Sequence, residues 1–286
     1  MQKNLALAVV FFLAFYPIFV KAEQTINWAK INWPPFTMIE KGDVKKGLLD
    51  ELLAFYQQNM SKYSHTNKIT NFNRVWSDIK KGKNICYPGA VKTLDRPNYS
   101  TYSLPIAIAP SNHIIMKRDT YQKSDLGKSI RLEQLINNNQ LSSIIEQTRS
   151  YTAVLDKLIE QRPKDSKIHS DTISSRKLVK LLMNDRFDYL IEYPNVANYF
   201  TEANNYQASE LVSITIEELG QYTTSYLACP NNAWGKKVIN DFNSVLTKIH
   251  NSPQYLELMS NAALNETQKK EIQQKYLQLF NQAISA

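Results

Sequence analysis

Arg96 is the first residue of this sequence whose type and surroundings suggest chemistry. It lies in KTLDRPNYSTYSLP, residues 92–105, after a short apolar stretch and before aromatic and small hydroxyl side chains. A planar guanidinium offers parallel N–H donors that match two carboxylate oxygens, and the opposite charges strengthen both hydrogen bonds. The residue type therefore indicates either an anion-binding arginine or an ordinary solvated charge in a loop.

A second candidate anion-binding segment is QTRSY, residues 147–151, where Arg149 and Tyr151 flank Ser150. A helix is predicted to follow abruptly from a strand here, through TRSYTAVLDKLIEQ (148–161). The free N–H groups at the start of a helix bind anions without any side-chain charge. Alternatively, the Ser150 hydroxyl caps the helix. The sequence leaves both interpretations of Ser150 open.

The sequence contains no arrangement of residues typical of a catalytic or metal site. The SSRK segment, residues 174–177, has the S-x-x-K form of some serine acylases, but the partner motifs S-D-N and K-T-G are absent. There is also no G-x-S-x-G and no complete P-loop, so we expect no catalytic residue, metal or cofactor. The four histidines are not spaced as metal ligands; they are His65, His113, His169 and His250.

The first 22 of the 286 residues are typical of a secretory signal. Lys3 precedes an apolar run from Leu5 to Val20, which is short for a spanning helix. We therefore expect cleavage after Ala22, rather than a retained anchor, and a periplasmic location. Without Lys3 and Lys21, 264 residues remain and the formal net charge falls from +8 to +6. The basic clusters are short and have no aromatic residues between them, so nucleic acid is not an expected partner.

The two cysteines are Cys86 and Cys229. Export would place them in an oxidising compartment, where disulfides form and persist. The residues alone leave open one intramolecular bond or two buried thiols that never meet.

The hydrophobic pattern predicts strands and helices of an α/β fold. Strands are expected at residues 25–33, 84–87 and 187–193, and helices at 48–60 and 174–183. Two segments share the order helix, tight stop, apolar strand and polar residues, and open α/β sheets bind ligands at the carboxyl ends of their strands. These segments are WSDIKKGKNICYPG and LVKLLMNDRFDYLIEYPN.

Four segments follow one another as WPPF (33–36), GLLDELL (47–53), RVWSDIKKGKNIC (74–86) and KTLDRPNYSTYSLP. Together they resemble the bacterial extracellular solute-binding proteins of family 3, the amino-acid receptors of ABC importers. Within that family the chain is most similar to a branch with Cys, KT-x-x-R and EYP signatures. The resemblance covers nearly all of the chain after the signal.

The resemblance implies a type II periplasmic-binding-protein fold, with two α/β lobes, two hinge crossovers and a central cleft. The implied lobes are residues 23–107 together with 221–286, and residues 108–220. In this topology the strands that carry Cys86 and Cys229 are neighbours, which favours a disulfide between them.

The resemblance also implies roles for residues of the first lobe. Thr93 and Arg96 fill a T-x-x-R pattern whose arginine clamps a ligand α-carboxylate. Trp33 stands where an aromatic ring often stacks on the ligand. Arg74 lies just before a short helix, expected at residues 76–81, and Trp76 lies at its start; both are placed at the rim of the cleft.

Recognition of a ligand amino group is less clear from the sequence. Amino-acid receptors usually offer an aspartate where this chain has Tyr193. Glu192 is one residue earlier and, by alternation, would point to the other side of the strand unless the chain bends. Glu192 therefore binds a ligand ammonium, pairs with Arg96 or Arg149 in the empty protein, or is structural.

We expect a monomeric periplasmic receptor for a small carboxylated, amino-acid-like ligand, feeding an ABC permease. One alternative is a sensory or accessory protein that acts on a membrane signalling partner. The other is a dehydratase-like enzyme on the same fold, for which Glu192 is the one ready acid–base group.

Overall fold

The computed structural model describes residues 24–40, 43–45, 47–93, 95–137, 140–147 and 149–285. The predicted signal peptide, residues 1–22, lies outside these ranges. Within them, no helix combines the length and the hydropathy that a membrane span requires.

The strands are β1 Thr25–Ile31, β2 Met38–Glu40, β3 Asp43–Lys45, β4 Ser64–Thr70, β5 Ile85–Ala90, β6 Ser100–Pro110, β7 His113–Lys117, β8 Ser129–Ile130, β9 Ser143–Glu146, β10 Ile168–Asp171, β11 Tyr189–Glu192, β12 Leu211–Ile216 and β13 Tyr222–Pro230. The helices are α1 Leu48–Asn59, α2 Phe72–Lys80, α3 Arg118–Lys123, α4 Leu132–Ile136, α5 Ala153–Glu160, α6 Ser175–Met183, α7 Pro194–Ala203, α8 Ala233–Ile249, α9 Pro253–Met259 and α10 Glu266–Ser285.

Most of the strands form two mixed sheets. The first sheet has the strand order β4-β1-β5-β13-β6, and the second has the order β10-β9-β11-β7-β12-β8. In the first sheet β1 pairs in parallel with β4 and β5, whereas β13 runs antiparallel to β5 and β6. The second sheet consists entirely of strands that lie between β6 and β13 in the chain. This is the α/β arrangement that the sequence predicts.

The chain passes between the two sheets twice. Ser111 and Asn112 connect β6 to β7, and residues 217–221 connect β12 to β13. The two connections contact each other, because the Ser111 N–H donates to the Gln221 carbonyl at 3.1 Å. The hydroxyls of Ser111 and Thr223 also lie 3.1 Å apart. The crossovers therefore form one narrow, hydrogen-bonded ribbon.

Of the two lobe boundaries expected from the sequence, one falls within a strand and the other falls in a connection between strands. Strand β6 runs past residue 107, since its backbone pairs with β13 as far as Pro110, opposite Tyr222. The second boundary, at residue 220, falls in the connection between β12 and β13. The division into lobes at these residues stays a prediction.

Apolar side chains pack against each sheet and also between the two halves of the molecule, where each half consists of one of the two sheets and the helices packed on it. One buried cluster joins Phe36 and the partly buried Leu49, from the first half, to Leu178, Tyr193 and Val196 of the second. Because these side chains are in contact, the two halves lie closed against each other.

Cys86 and Cys229 form a disulfide, with their Cα atoms 4.4 Å apart. They lie on the neighbouring antiparallel strands β5 and β13, where Tyr87 is opposite Ala228. Both cysteines are fully buried. The pairing implied by the family resemblance is confirmed.

Gly235, near the start of α8, lies against the end of β13. Its N–H donates to the capping Asn232 side chain at 2.8 Å, and a Cβ added at Gly235 would lie 1.9 Å from the Pro230 carbonyl oxygen. We expect Gly235→Ala to lower the free energy of unfolding by about 1–3 kcal/mol, because backbone must shift to admit the methyl group. Urea denaturation measures this loss. Gly220→Ala is the control, since a Cβ there meets only the Tyr222 carbonyl at 3.8 Å; equal losses would contradict the clash.

Candidate ligand-binding site

A small cavity lies between the two halves, beside the end of β5. Its volume of about 40 Å³ has room for about three water molecules. The wall consists of five aromatic side chains, two arginines and three smaller residues, which are Trp33, Phe72, Trp76, Tyr87, Tyr193, Arg96, Arg149, Gly89, Val91 and Ser150.

Arg96 lines this cavity with its guanidinium stacked on an indole ring. Its Cζ atom lies 3.9 Å from the centroid of the Trp76 ring, and its Nη1 donates to the Val91 carbonyl at 3.3 Å. The side chain is half-buried. It forms no ion pair with any carboxylate of the described residues. The guanidinium therefore keeps most of its five donors and its full positive charge for another group.

The turn that carries Arg96 is held by short polar contacts. The Thr93 hydroxyl donates to Asp95 at 2.8 Å, and the Ser100 hydroxyl donates to the Arg96 carbonyl at 2.6 Å. Burial would raise the pKa of Asp95, but hydrogen bonds, first that from Thr93, and the Arg96 charge lower it overall. Thr93 is buried and not on the cavity wall. In the structure, Thr93 supports the turn through its hydrogen bond to Asp95.

Helix α2 places two aromatic residues on the cavity wall and directs Arg74 away from it. The helix begins at Phe72, where the Asn71 side chain caps it by accepting from the Arg74 N–H at 2.9 Å. Phe72 and Trp76 are four residues apart and share one face. Arg74 is exposed and pairs with Asp78 at 3.1 Å. The structure does not bring Arg74 to the wall of this cavity, because the helix starts earlier than predicted.

Trp33 lies where the two halves meet, as its predicted role requires. Its ring centroid is 4.8 Å from that of Phe36 and 5.5 Å from that of Tyr193, which precedes α7 on the other half. Burial raises the pKa of Tyr193, so this phenol stays neutral. These three rings close the cavity on one side.

Arg149 is buried in a polar network that includes Glu192. Its Nη1 donates to Glu192 Oε2 at 2.6 Å, and its Nη2 donates to Asn112 Oδ1 at 2.9 Å. Glu192, only 1% exposed, also accepts from the Ser175 hydroxyl at 2.7 Å and from the Tyr193 N–H at 2.9 Å. Burial alone would lower the pKa of Arg149, but the Glu192 charge raises it, and the net direction is upward. Of the three roles left open for Glu192, the structure gives it a partner in Arg149.

Asn112 and Ser175 belong to this network, but the sequence does not identify them as site residues. Asn112 is fully buried within the first crossover, and its Nδ2 also donates to the Tyr151 carbonyl at 3.2 Å. A buried polar side chain needs hydrogen-bond partners. In the sequence, Asn112 is simply one amide side chain between two apolar strands. It can be recognised as part of the site only once its burial is known.

Residues 149–151 form a loop rather than the start of a helix. The helix α5 begins at Ala153, because the Thr152 side chain caps it by accepting from the Leu155 N–H. The Ser150 hydroxyl donates to Asp156 at 2.5 Å, so Ser150 is not the capping residue. Ser150 and Arg149 line the cavity, whereas the buried Tyr151 hydroxyl accepts from the Glu146 N–H at 3.0 Å.

A second cavity of about 50 Å³ adjoins the first and is mainly apolar. The two share Gly89, which has φ +90°, a conformation that favours glycine. No group of three or more His, Cys, Asp or Glu side chains that could hold a metal occurs in the described part of the chain. The second cavity is lined by Trp33, Phe36, Leu49, Gly89, Val91, Ala109, Tyr193, Thr223 and Ser225.

Comparisons with known proteins give matches among solved structures only. No family model matches the chain, and no curated protein does. One similar structure concerns glutathione import via GshT and the cystine ABC importer TcyBC of Streptococcus mutans. It has a TM-score of 0.67 and 16% identity, and the match covers 86% of this chain and 99% of the other.

Two further structures illustrate the range of proteins with this architecture. A histidine kinase sensor domain with similarity to periplasmic binding proteins has a TM-score of 0.64 and 15% identity, with 82% and 93% of the two chains covered. The amino acid ABC transporter substrate-binding protein AbpA of Streptococcus pneumoniae, bound to L-arginine, has a TM-score of 0.59 and 16% identity, with 90% and 95% covered. The resemblance suggested by the sequence motifs is thus confirmed in the architecture, and the chain has the type II periplasmic-binding-protein fold.

Proposed function

We propose that the protein is a periplasmic solute-binding receptor whose cleft binds a small ligand through a carboxylate. The observation that carries the proposal is Arg96, a half-buried guanidinium that lines an inter-sheet cavity and has no carboxylate partner among the described residues. In a closed cleft the pairing of Arg96 with a ligand carboxylate acts in a lower dielectric than water provides. The ligand thereby supplies a carboxylate, which the described residues of the cavity wall do not include.

Binding is coupled to separation and closure of the two halves. The cavity of about 40 Å³ is too small to hold an organic acid in this arrangement of the halves. The paired crossovers near Ser111 and Gln221 are the connections about which a hinge motion can occur. A ligand that contacts Arg96 from one half and Trp33 with Tyr193 across the interface favours the closed form.

An ABC permease is the partner that we propose for this closed form. Proteins of importers occur among the structures with the same fold. A sensor domain of a histidine kinase also has this fold, so a membrane signalling partner is the second candidate. Association of the liganded protein with a permease or with a kinase, measured after reconstitution in vesicles, distinguishes the two.

We favour binding over catalysis because Glu192 is already fully engaged. Its Oε2 atom accepts from Arg149 and Ser175, and its Oε1 atom accepts from the Tyr193 N–H. A carboxylate held in this way is not positioned to abstract a proton from a ligand. Turnover of a bound acid that is lost in Glu192→Gln would argue for the enzyme instead.

Replacement of Arg96 tests the receptor proposal. We expect Arg96→Ala to weaken carboxylate binding by about 100-fold or more, since each hydrogen bond to a charged group contributes about 1.5–3 kcal/mol. Isothermal titration calorimetry against a panel of amino acids and other organic acids gives the affinities. Arg74→Ala is the matched control, because Arg74 is exposed and outside the cavity wall. Undiminished binding by Arg96→Ala would refute the role of Arg96.

A further inference from the structure

We propose that the ligand is an organic monoanion without an ammonium group, a carboxylate with an apolar body, rather than a zwitterionic α-amino acid. This inference rests on the proposed function and narrows it to one class of ligand. It follows from the charges, the unpaired donors and the aromatic faces of the cavity.

The wall of the two adjoining cavities has no acid available for an ammonium group. Among the described residues that line them there is neither aspartate nor glutamate. Glu192 lies behind Arg149, only 1% exposed, with both oxygens bonded to protein donors. Glu146 lines a neighbouring crevice of about 320 Å³ that shares Trp33 and Phe72 with the first cavity, and it is itself engaged with the protein. An ammonium enclosed in the cavity would lose its water without gaining a carboxylate, which is unfavourable.

Two tryptophans of the cavity wall have indole N–H groups without a hydrogen-bond partner. The buried Nε1 atoms of Trp33 and Trp76 have no hydrogen-bond partner, and an indole N–H can only donate. The guanidinium of Arg96 has one described acceptor, the Val91 carbonyl. Donors that stay unpaired cost free energy, so a ligand that brings acceptor oxygens to Arg96 is favoured over one that brings further donors.

Three of the five aromatic rings of the cavity wall already have a cation of the protein over them. An aromatic cage can bind an ammonium through its ring faces, which would be an alternative to an acidic residue. Here Arg96 covers Trp76 at 3.9 Å, and the Cζ atom of Arg149 lies 5.1 Å from the Trp33 centroid and 5.3 Å from that of Tyr193. A ligand cation would therefore meet like charges at these three rings, which include both tryptophans of the wall.

The charges of the residues on the cavity wall favour a ligand with one negative charge. Glu192 neutralises Arg149 within a buried ion pair, which leaves Arg96 as the uncompensated charge among the described residues of the wall. The second cavity extends from the first toward Phe36, Leu49 and Ala109, which are apolar. A carboxylate at Arg96 can thus direct an apolar body into this second cavity.

Matched pairs of ligands test the inference by calorimetry on the purified wild-type protein. Each L-amino acid is compared with its des-amino and 2-hydroxy analogues, for example L-phenylalanine with 3-phenylpropionate and L-leucine with 4-methylpentanoate. We expect the best-bound acid without an ammonium group to bind at least tenfold more tightly than its amino-acid partner. Phenethylamine, which has the ring and the ammonium but no carboxylate, is expected not to bind.

The possible outcomes separate this inference from the proposed function. If the amino acids bind as tightly as their partners or more so, and Arg96→Ala abolishes that binding, the receptor function stands and the inference is overturned. If no acid binds at millimolar concentration, both are overturned. Tighter binding of the acids that lack the ammonium, lost in Arg96→Ala and retained in Arg74→Ala, supports both.

Discussion

Replacing Cys86 and Cys229 together by alanine should lower the free energy of unfolding by about 2–5 kcal/mol. The disulfide joins residues separated by 143 positions, and the entropy of closing so long a loop in the unfolded chain corresponds to about 5 kcal/mol at 25 °C. Strain or residual structure in the unfolded chain reduces this value. Urea denaturation of the wild type and of the double variant measures the difference.

Reduction of the wild-type protein separates the disulfide from the packing of its sulfur atoms. The unfolding of the wild type is measured with and without reductant, and the double variant should be insensitive to reductant. The difference between the reduced wild type and the double variant then gives the loss of packing, since both cysteines are fully buried. Equal stability of the oxidised and reduced wild type would contradict the prediction.

Loss of the disulfide should also weaken ligand binding. Strand β5 leads into Gly89, Val91 and the turn at Arg96, while β13 continues from the second crossover and carries Thr223 and Ser225 of the second cavity. The bond therefore joins the two strands that position much of the cavity wall. A variant that remains folded but binds less tightly at 25 °C would show that the wall needs this link.

Much of the fold could be predicted from the sequence. Single strands and helices have local hydrophobic patterns, and the order of the motifs along the chain indicates the topology. The strand at residues 187–193 was expected from its apolar run and is present as the shorter Tyr189–Glu192. The helix at residues 174–183 was expected from its period and occurs as Ser175–Met183. The cysteine pairing became predictable only through the family topology, since two cysteines 143 residues apart give no local signal.

The residue at which α2 starts decides whether Arg74 faces the cavity. A start at residue 76 would leave Arg74 in the connecting segment beside the cleft. The actual start at Phe72 places Arg74 two residues along the helix, on a face turned away from Phe72 and Trp76. Hydrophobic period alone did not locate the start, because the Asn71 side chain that caps the helix lies outside the apolar pattern.

The network around Arg149 could not be predicted because it depends on tertiary burial. Arg149 and Glu192 are 43 residues apart, so no local signal connects them. Alternation predicts that Glu192 and Tyr193 point to different sides, and of these two residues only Tyr193 lines the cavity. The ion pair forms behind the wall, where both charged side chains are buried. Sequence identified the charged groups, whereas the structure showed which of them neutralise each other.

Glu192→Gln is expected to lower the free energy of unfolding by about 3–5 kcal/mol, because it leaves the buried charge of Arg149 without a counter-charge. The two side chains are 4% and 1% exposed, so water cannot replace the lost carboxylate. Glu133→Gln makes the same chemical change in the exposed Arg131–Glu133 pair and should cost less than about 1 kcal/mol. Thermal and urea denaturation of both variants give the comparison. Similar losses in the two variants would mean that Glu192 does not neutralise Arg149.

The same variant should change the charge that the cleft prefers in its ligand. With Glu192 neutralised by substitution, Arg149 and Arg96 both present an uncompensated positive charge to the cavity that they line. Affinity for dicarboxylates such as succinate should then rise at least tenfold relative to that for monocarboxylates of similar length. Calorimetry at a temperature where the variant is folded measures this ratio. We expect this change because the loss of the Glu192 charge leaves Arg149 positive and so alters the electrostatic potential in the cavity. An unchanged ratio would show that the Arg149–Glu192 pair does not set the ligand charge.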